Sequence, residues 1–191
     1  MAKNNKIPDF LSHARQRKEA RPRFVAIESK NFFKDGFKKG GWTEKSFQEW
    51  KPRKSPLGGK KVLIGKDNTK NLMQSIRTLE KNQNRVRTGS DLEYAETHNE
   101  GAEITVTANM KKFWWAKYDE LSGKVKKTNT GKMSRAKANL RANAKAEYCK
   151  NMALMKVGSK IKIPKRQFIG ESQTLMKQFD EWFAAEVEKF K

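Results

Sequence analysis

The spacing of apolar residues along the chain switches between helical and extended periods. Phe24, Val25, Ile27, Phe32, Phe33 and Phe37 recur at steps that suit a helix from about Arg21 to Lys38, with Gly40 and Gly41 ending it. Upstream, residues 8–20 predict a separate polar helix with Phe10, Leu11 and Ala14 on one side. Pro22 lacks an N–H to donate and suits the first turn of a new helix. Residues 42–53 read as a loop with three large aromatics, Trp42, Phe47 and Trp50, expected to plug one edge of a core. Exposed beside Lys51, Arg53 and Lys54, the same rings would instead suit stacking on nucleic-acid bases.

Thr69 to Ser75 predicts one helical turn with Leu72 and Met73 inward. From Ser75 the period becomes two: Ile76, Thr78 and Glu80 alternate with Arg77, Leu79 and Lys81. Asn82-Gln83-Asn84 is a hairpin turn, and 85–89 the return strand. Asp91 is placed to cap a short helix that Gly101 ends. A half-buried strand follows over 103–107, with Ile104 and Val106 facing one way, and 160–164 supplies a fourth strand. Thr107 or Asn109 caps an aromatic helix carrying Met110, Phe113, Trp114, Trp115, Tyr118 and Leu121. Beyond it, an Ala-rich helix places Met133, Ala136, Leu140, Ala144, Tyr148, Met152 and Met155 on one stripe, and Gly158 stops it. A last amphipathic helix from Ser172 carries Leu175, Phe179, Trp182, Phe183, Val187 and Phe190.

These elements predict an α+β fold. A small antiparallel sheet of three to four strands is packed by a long N-terminal helix and a C-terminal helix, with an inserted basic helical segment. Residues 1–121 and 159–191 form the core domain, with an N-terminal helical extension, and 122–158 the insertion.

Charge changes this picture most. The 191 residues carry a formal net charge of +22. Residues 1–66 hold 18 Lys/Arg against 6 Asp/Glu, a net +12, and residues 111–166 hold 17 against 3, a net +14. The stretches 67–110 and 167–191 are each −2. Segregated blocks of this kind favour an acidic neighbour, either nucleic acid or the acidic face of a protein. The single cysteine, Cys149, excludes an internal disulfide and suits a reducing compartment. The longest apolar runs are too short to span a membrane, and the first ten residues lack the apolar core of a secretion signal, so a protein made in a cytoplasm is expected.

No residue set points to catalysis, a cofactor or a metal. Two histidines and one cysteine fall short of a His/Cys zinc site. Gly58-Gly59-Lys60 is followed by Lys61 where a phosphate-binding loop needs Ser or Thr. His98 is the one tempting base; beside Gly101, its expected role is to hold a backbone corner. Glu93, Glu96, Glu100 and Glu103 lack the pairing of a glycosidase or metal nuclease. Cys149 reads as a small hydrophobe.

Three motifs carry a resemblance: Leu72-x-x-Ser75-Ile76, Tyr94-Ala95-x-x-His98-Asn99-x-Gly101, and Arg166-x-Phe168-Ile169-Gly170-x-Ser172. In this order and spacing the chain resembles the virion morphogenesis proteins of tailed bacteriophages, also called tail-completion or neck proteins. The similarity runs from about Ser29 to Phe190. It implies a non-enzymatic structural protein of the head–tail junction, assembled in the host cytoplasm into a homo-oligomeric ring, a hexamer in most expectations. The ring would contact other neck, connector or tail proteins and leave a channel for the genome. The motif residues carry over as fold-defining positions. The departure from the family is the basic segment, with Lys124, Lys126, Lys127, Lys132, Arg135, Lys137, Arg141 and Lys145. These cations are expected to meet acidic surfaces of a neighbouring subunit or DNA phosphates in the lumen, without sequence preference. A stand-alone basic nucleic-acid-binding protein is the alternative reading. A metal-dependent nuclease is a third, and it lacks a ligand cluster.

Overall fold

The computed structural model describes residues 10–58, 61–64 and 72–189. The expected helix start at residue 8, the turn onset at Thr69, Gly59, Lys60 and Phe190 lie outside the described residues, as do the side chains of Phe10, Leu11, His13 and Ala14. The described residues form a mixed α/β fold of six helices and three two-stranded antiparallel ladders, with a long N-terminal helix and a C-terminal helix. The chain divides into two compact units.

The first unit takes in the chain up to Trp50, the stretch Leu63–Ala95 and the chain from Gln167. Its frame is helix α1 (Phe10–Lys39), which runs 30 residues with Pro22 inside it. The expected break at Pro22 does not occur. A proline inside a helix costs about 3 kcal/mol through its missing N–H and its ring clash. The last helix, α6 (Gln173–Glu188), packs against α1 on both sides of the proline. The Arg21 guanidinium lies 5.4 Å from the Phe183 ring centre, and Phe24 stacks on Trp182 at 4.0 Å. The buried stripe of α1 is Ala26, Ser29, Phe33 and Phe37, while Ile27 is exposed.

After Gly40 the expected loop is instead a hairpin, β1 (Gly41–Thr43) paired with β2 (Phe47–Glu49). It buries Trp42, with Trp50 just beyond it, but leaves Phe47 exposed. Only two of the three rings therefore plug the core. Trp42 lies beside Phe33, and Phe37 sits between Trp50 at 5.3 Å and Phe168 at 5.1 Å. Helix α2 (Leu72–Ser75) follows, then β3 (Arg77–Lys81) and β4 (Val86–Gly89), a hairpin packed on α1. Its turn forms because the Asn82 side-chain oxygen accepts the N–H groups of Asn84 and Arg85.

Helix α3 (Tyr94–Glu100) begins in this unit. Asp91 does not cap it: its carboxylate pairs with Arg77 at 2.9 Å across the hairpin base. Helix α6 starts where expected. The Ser172 hydroxyl accepts the Leu175 N–H and donates to the Thr43 carbonyl oxygen at 2.8 Å. Leu175 and Phe179 are buried, but Val187 is exposed, because the helix has turned it about 120° away from Leu175.

The second unit comprises Lys51–Val62 and Glu96–Arg166. In it β5 (Ala102–Thr105) pairs antiparallel with β6 (Lys160–Ile163), Ile104 opposite Ile161. The expected single sheet of three to four strands is thus divided into separate ladders, since β5 takes β6 and not the β3–β4 hairpin as its neighbour. Val106 is buried while Ile104 is exposed, since a two-stranded ribbon shelters only the positions something packs over. Helix α4 (Ala108–Ser122), capped by the Thr107 hydroxyl, packs against α5 (Lys137–Leu154). The basic helix is therefore one arm of a helical hairpin.

Candidate functional site

The three motifs occupy turns and joints. In the first, Leu72 and Ile76 are buried, and the Ser75 hydroxyl bonds both the Leu72 carbonyl oxygen (2.7 Å) and the Ser90 hydroxyl (2.6 Å), closing the base of the β3–β4 hairpin. In the second, Tyr94 is exposed, Ala95 buried, and Asn99 donates to the Glu100 carboxylate. Gly101 ends α3 in the left-handed region, with φ +79°.

The third motif meets the end of the second within the second unit. The Arg166 N–H donates to the His98 carbonyl oxygen at 2.8 Å, and Lys165 pairs with Glu100 at 2.9 Å. The buried guanidinium of Arg166 donates to the carbonyl oxygens of Lys51 and Pro52. Arg53 likewise donates to the carbonyl oxygens of Leu57 and Lys61. Phe168 and Ser172 belong to the core of the first unit, and exposed Gly170 lies between them.

His98 has a setting that suits a corner better than a general base. Burial and then the positive charge of Arg166 hold its pKa below the ordinary histidine value. A base needs a group that stabilises its protonated form, whereas the charge facing His98 is a cation. The protonated ring is disfavoured in the folded chain, so below about pH 6.5 the unfolded chain binds more protons. The contribution of His98 to stability is therefore complete above that pH and declines as pH falls through it toward the lower folded value. The urea midpoint of the protein is expected to fall over this window, and His98→Gln to flatten the fall. Identical profiles for the two proteins would refute this account.

The charged candidates sit on the α4–α5 hairpin, whose helices run antiparallel. Trp114 contacts Tyr148 and, nearer the loop, the Asn139 side chain bonds Lys126. The seam on α5 is Asn139, Ala142, Ala146, Cys149 and Ala153, of which all but Ala142 are fully buried. The expected stripe of Met and Leu is not the buried one: Leu140 and Ala144 are exposed, and Tyr148, Met152 and Met155 are half-buried. Small residues win the seam because they let the aromatic helix approach closely. Burial raises the Cys149 thiol pKa, consistent with a packing role.

At the closed end the loop 124–136 has a defined shape. The Asn139 amide accepts from the Lys126 N–H and donates to the carbonyl oxygens of Lys126 and Ser134. The Thr128 N–H donates to the Lys132 carbonyl oxygen, and Lys127 faces Met133 in a β-bridge. The structure brings Lys124, Lys126, Lys127, Lys132, Arg135 and Lys137 onto this tip, with Arg141 and Lys145 one and two turns along α5. All are exposed except half-buried Lys145. Lys124 alone of the eight pairs with an acid among the described residues. It and Lys117 bond Glu120, whose carboxyl is held down to about 2. Helix α5 starts without a side-chain cap or an acidic residue in its first turn.

The open end mixes exposed apolar groups with Lys111, Lys112, Lys150 and Lys156. Phe113 is 58% exposed, Leu154 59% and Val157 52%, three large side chains close to the start of α4 and the end of α5. Charge counting finds the cations of the tip in the sequence. Asn139 escapes it, because a polar residue in a helix resembles any other surface position until its three partners are seen.

Among the described residues, no group of three or more His, Cys, Asp or Glu is placed to hold a metal ion, and no helix is long and apolar enough to cross a membrane. Comparison with protein-family models, with curated proteins and with solved structures finds no match.

Proposed function

We propose that the chain is a structural protein of the head–tail junction of a tailed phage, one subunit of a homo-oligomeric ring, a hexamer by preference, through which the genome passes. The observation that carries this reading is the exposure of three large apolar side chains toward the open end of the α4–α5 hairpin, Phe113, Leu154 and Val157, each more than half exposed. Exposed apolar side chains of this size suit an association surface. A second copy is the occupant we favour, because the acidic tail helix offers a complement: Met176 and Val187 are exposed on α6 near Asp180, Glu181 and Glu188. A surface on one copy that meets a different surface on the next makes a heterologous contact, the kind that closes into a ring. Further support comes from the order of the three motifs, whose members sit at turns, caps and core positions as fold-defining residues do. Other neck, connector or tail proteins would stack on the ring in the virion.

The native mass tests this. Light scattering is expected to give a multimer and negative-stain images a ring. Phe113→Asp with Leu154→Asp is expected to yield a monomer with an unchanged melting temperature. A wild-type protein that stays monomeric at all concentrations would overturn the reading. The basic hairpin tip favours a second reading, a stand-alone nucleic-acid-binding protein, for which a monomer with tight duplex affinity is the expected result. Metal-stimulated cleavage of DNA would point instead to a nuclease.

A further inference from the structure

We propose that the tip of the α4–α5 hairpin is a contact site for the sugar–phosphate backbone of duplex nucleic acid, read without base specificity. The proposal deepens the ring reading by assigning the residues that face the genome. It rests on that reading only for the source of the duplex.

Four observations meet at the tip. First, Lys126, Lys127, Lys132, Arg135, Lys137 and Arg141 project from one loop and the helix it enters, and none pairs with an acid among the described residues. Such crowding is repulsive, and a bound polyanion relieves it. Second, Lys137 and Arg135 stand at the start of α5, the positive end of the helix dipole, where cations are unfavourable and anions favourable. Third, the loop is held in one shape. Asn139 is buried and makes three hydrogen bonds to it, although the loop has almost no apolar residue to anchor it. Cations held in place lose less entropy on meeting a rigid polyanion than cations on a floppy tail.

The fourth observation decides between anions. A protein interface has a core depleted in charge and rich in apolar and aromatic groups. The tip is the reverse: its exposed cations outnumber its two large exposed apolar side chains, Met133 and Leu140, and no aromatic ring stands among them. Phosphate contacts need only spaced cations and N–H donors, which the tip supplies. Single strands are gripped by stacking on aromatic rings. The exposed rings Phe113 and Trp115 lie two turns or more of α4 from the loop, roughly 10 Å back. A duplex backbone fits best. Charge balance agrees: each copy carries +22, so a ring multiplies positive charge that no second copy neutralises, and a threading polyanion compensates it.

The test is the salt dependence of binding to a short duplex of mixed sequence, between about 50 and 200 mM salt. The native mass is measured in the same buffers. The quadruple variant Lys126→Gln, Lys127→Gln, Lys132→Gln, Arg135→Gln is expected to lower the log–log slope by about 3 to 4, near 0.9 for each phosphate no longer neutralised. A control with the same charge removed from α1 and the β1–β2 hairpin (Lys18→Gln, Lys30→Gln, Lys34→Gln, Lys45→Gln) is expected to change the slope by less than about 1. Asn139→Ala keeps every charge and is expected to weaken binding severalfold.

Equal slopes for the two quadruple variants would overturn the site, as would undiminished binding by Asn139→Ala or no binding by the wild type. Tighter binding of polyglutamate than of duplex would also overturn it, in favour of an acidic protein surface. A ring that binds DNA without its tip refutes this proposal and leaves the ring reading standing. A monomer that binds through its tip does the opposite.

Discussion

Phe168→Ala is expected to lower the folding free energy by about 3 to 5 kcal/mol, the range for truncating a fully buried phenylalanine. The ring is 1% exposed and lies 5.1 Å from Phe37, which on another side meets Trp50 at 5.3 Å. The indole N–H of Trp50 donates to the carbonyl oxygen of Gln167 at 2.8 Å, so the backbone beside Phe168 is tied and the site cannot easily collapse. A residual cavity is the expected consequence, and it is what separates the large losses from the small ones. For a chain of this size the melting temperature should fall by roughly 10 °C. Phe168→Leu should recover more than half of the loss. A fall under about 1 kcal/mol would mean that the Phe37–Trp50–Phe168 cluster is not a core.

Gly101→Ala should be nearly as damaging, and Gly131→Ala provides the comparison. Both glycines have left-handed φ, +79° and +77°. An alanine at either meets the same intrinsic penalty, about 1 kcal/mol. Only Gly101 has neighbours. A Cβ there would stand 2.8 Å from the Lys165 backbone nitrogen and 2.9 Å from the Ile163 carbonyl oxygen, whereas nothing lies within 4 Å of one at Gly131. Backbone cannot swing aside as a lysine tip can, so the β5–β6 ladder must shift at its Ala102–Ile163 pair. We expect about 3 kcal/mol or more for Gly101→Ala and about 1 for Gly131→Ala, from paired urea titrations. Equal losses would mean that the close approach at Gly101 contributes nothing.

Features set by local chemistry were legible in the sequence. The Asn82 turn, the Thr107 and Ser172 caps, the β5 and β6 segments and the C-terminal helix follow from side chains that bond their own neighbourhood. What tertiary packing decides was not. Pro22 signals a helix start, yet the helix runs through it, with Trp182 and Phe183 packed on Phe24 and Arg21 to either side. Asp91 has the right type and place for a cap, yet Arg77 across the hairpin base takes it. The buried seam of α5 was hidden because hydropathy favours Met133, Leu140 and Met152 over Ala146, Cys149 and Ala153. A partner helix that packs closely prefers the small ones. At the candidate site the cations were plain from composition. Their gathering on one tip depended on Asn139, whose role no local pattern reveals.

The interleaving of the two units has a consequence for the order in which the protein can fold. A ribosome delivers Arg166, the last residue of the second unit, before Gln167 and all that follows. The β5–β6 ladder and the helical hairpin therefore have all their parts while the first unit still lacks Phe168, Ser172 and α6. Phe33 and Phe37 are made early, yet the ring that closes over Phe37 is made after almost everything else. During that interval α1 carries uncovered aromatic side chains, the kind of surface chaperones bind and aggregates grow from. Chains truncated after Arg166 and released should hold a finished helical hairpin and an N-terminal helix still open to capture.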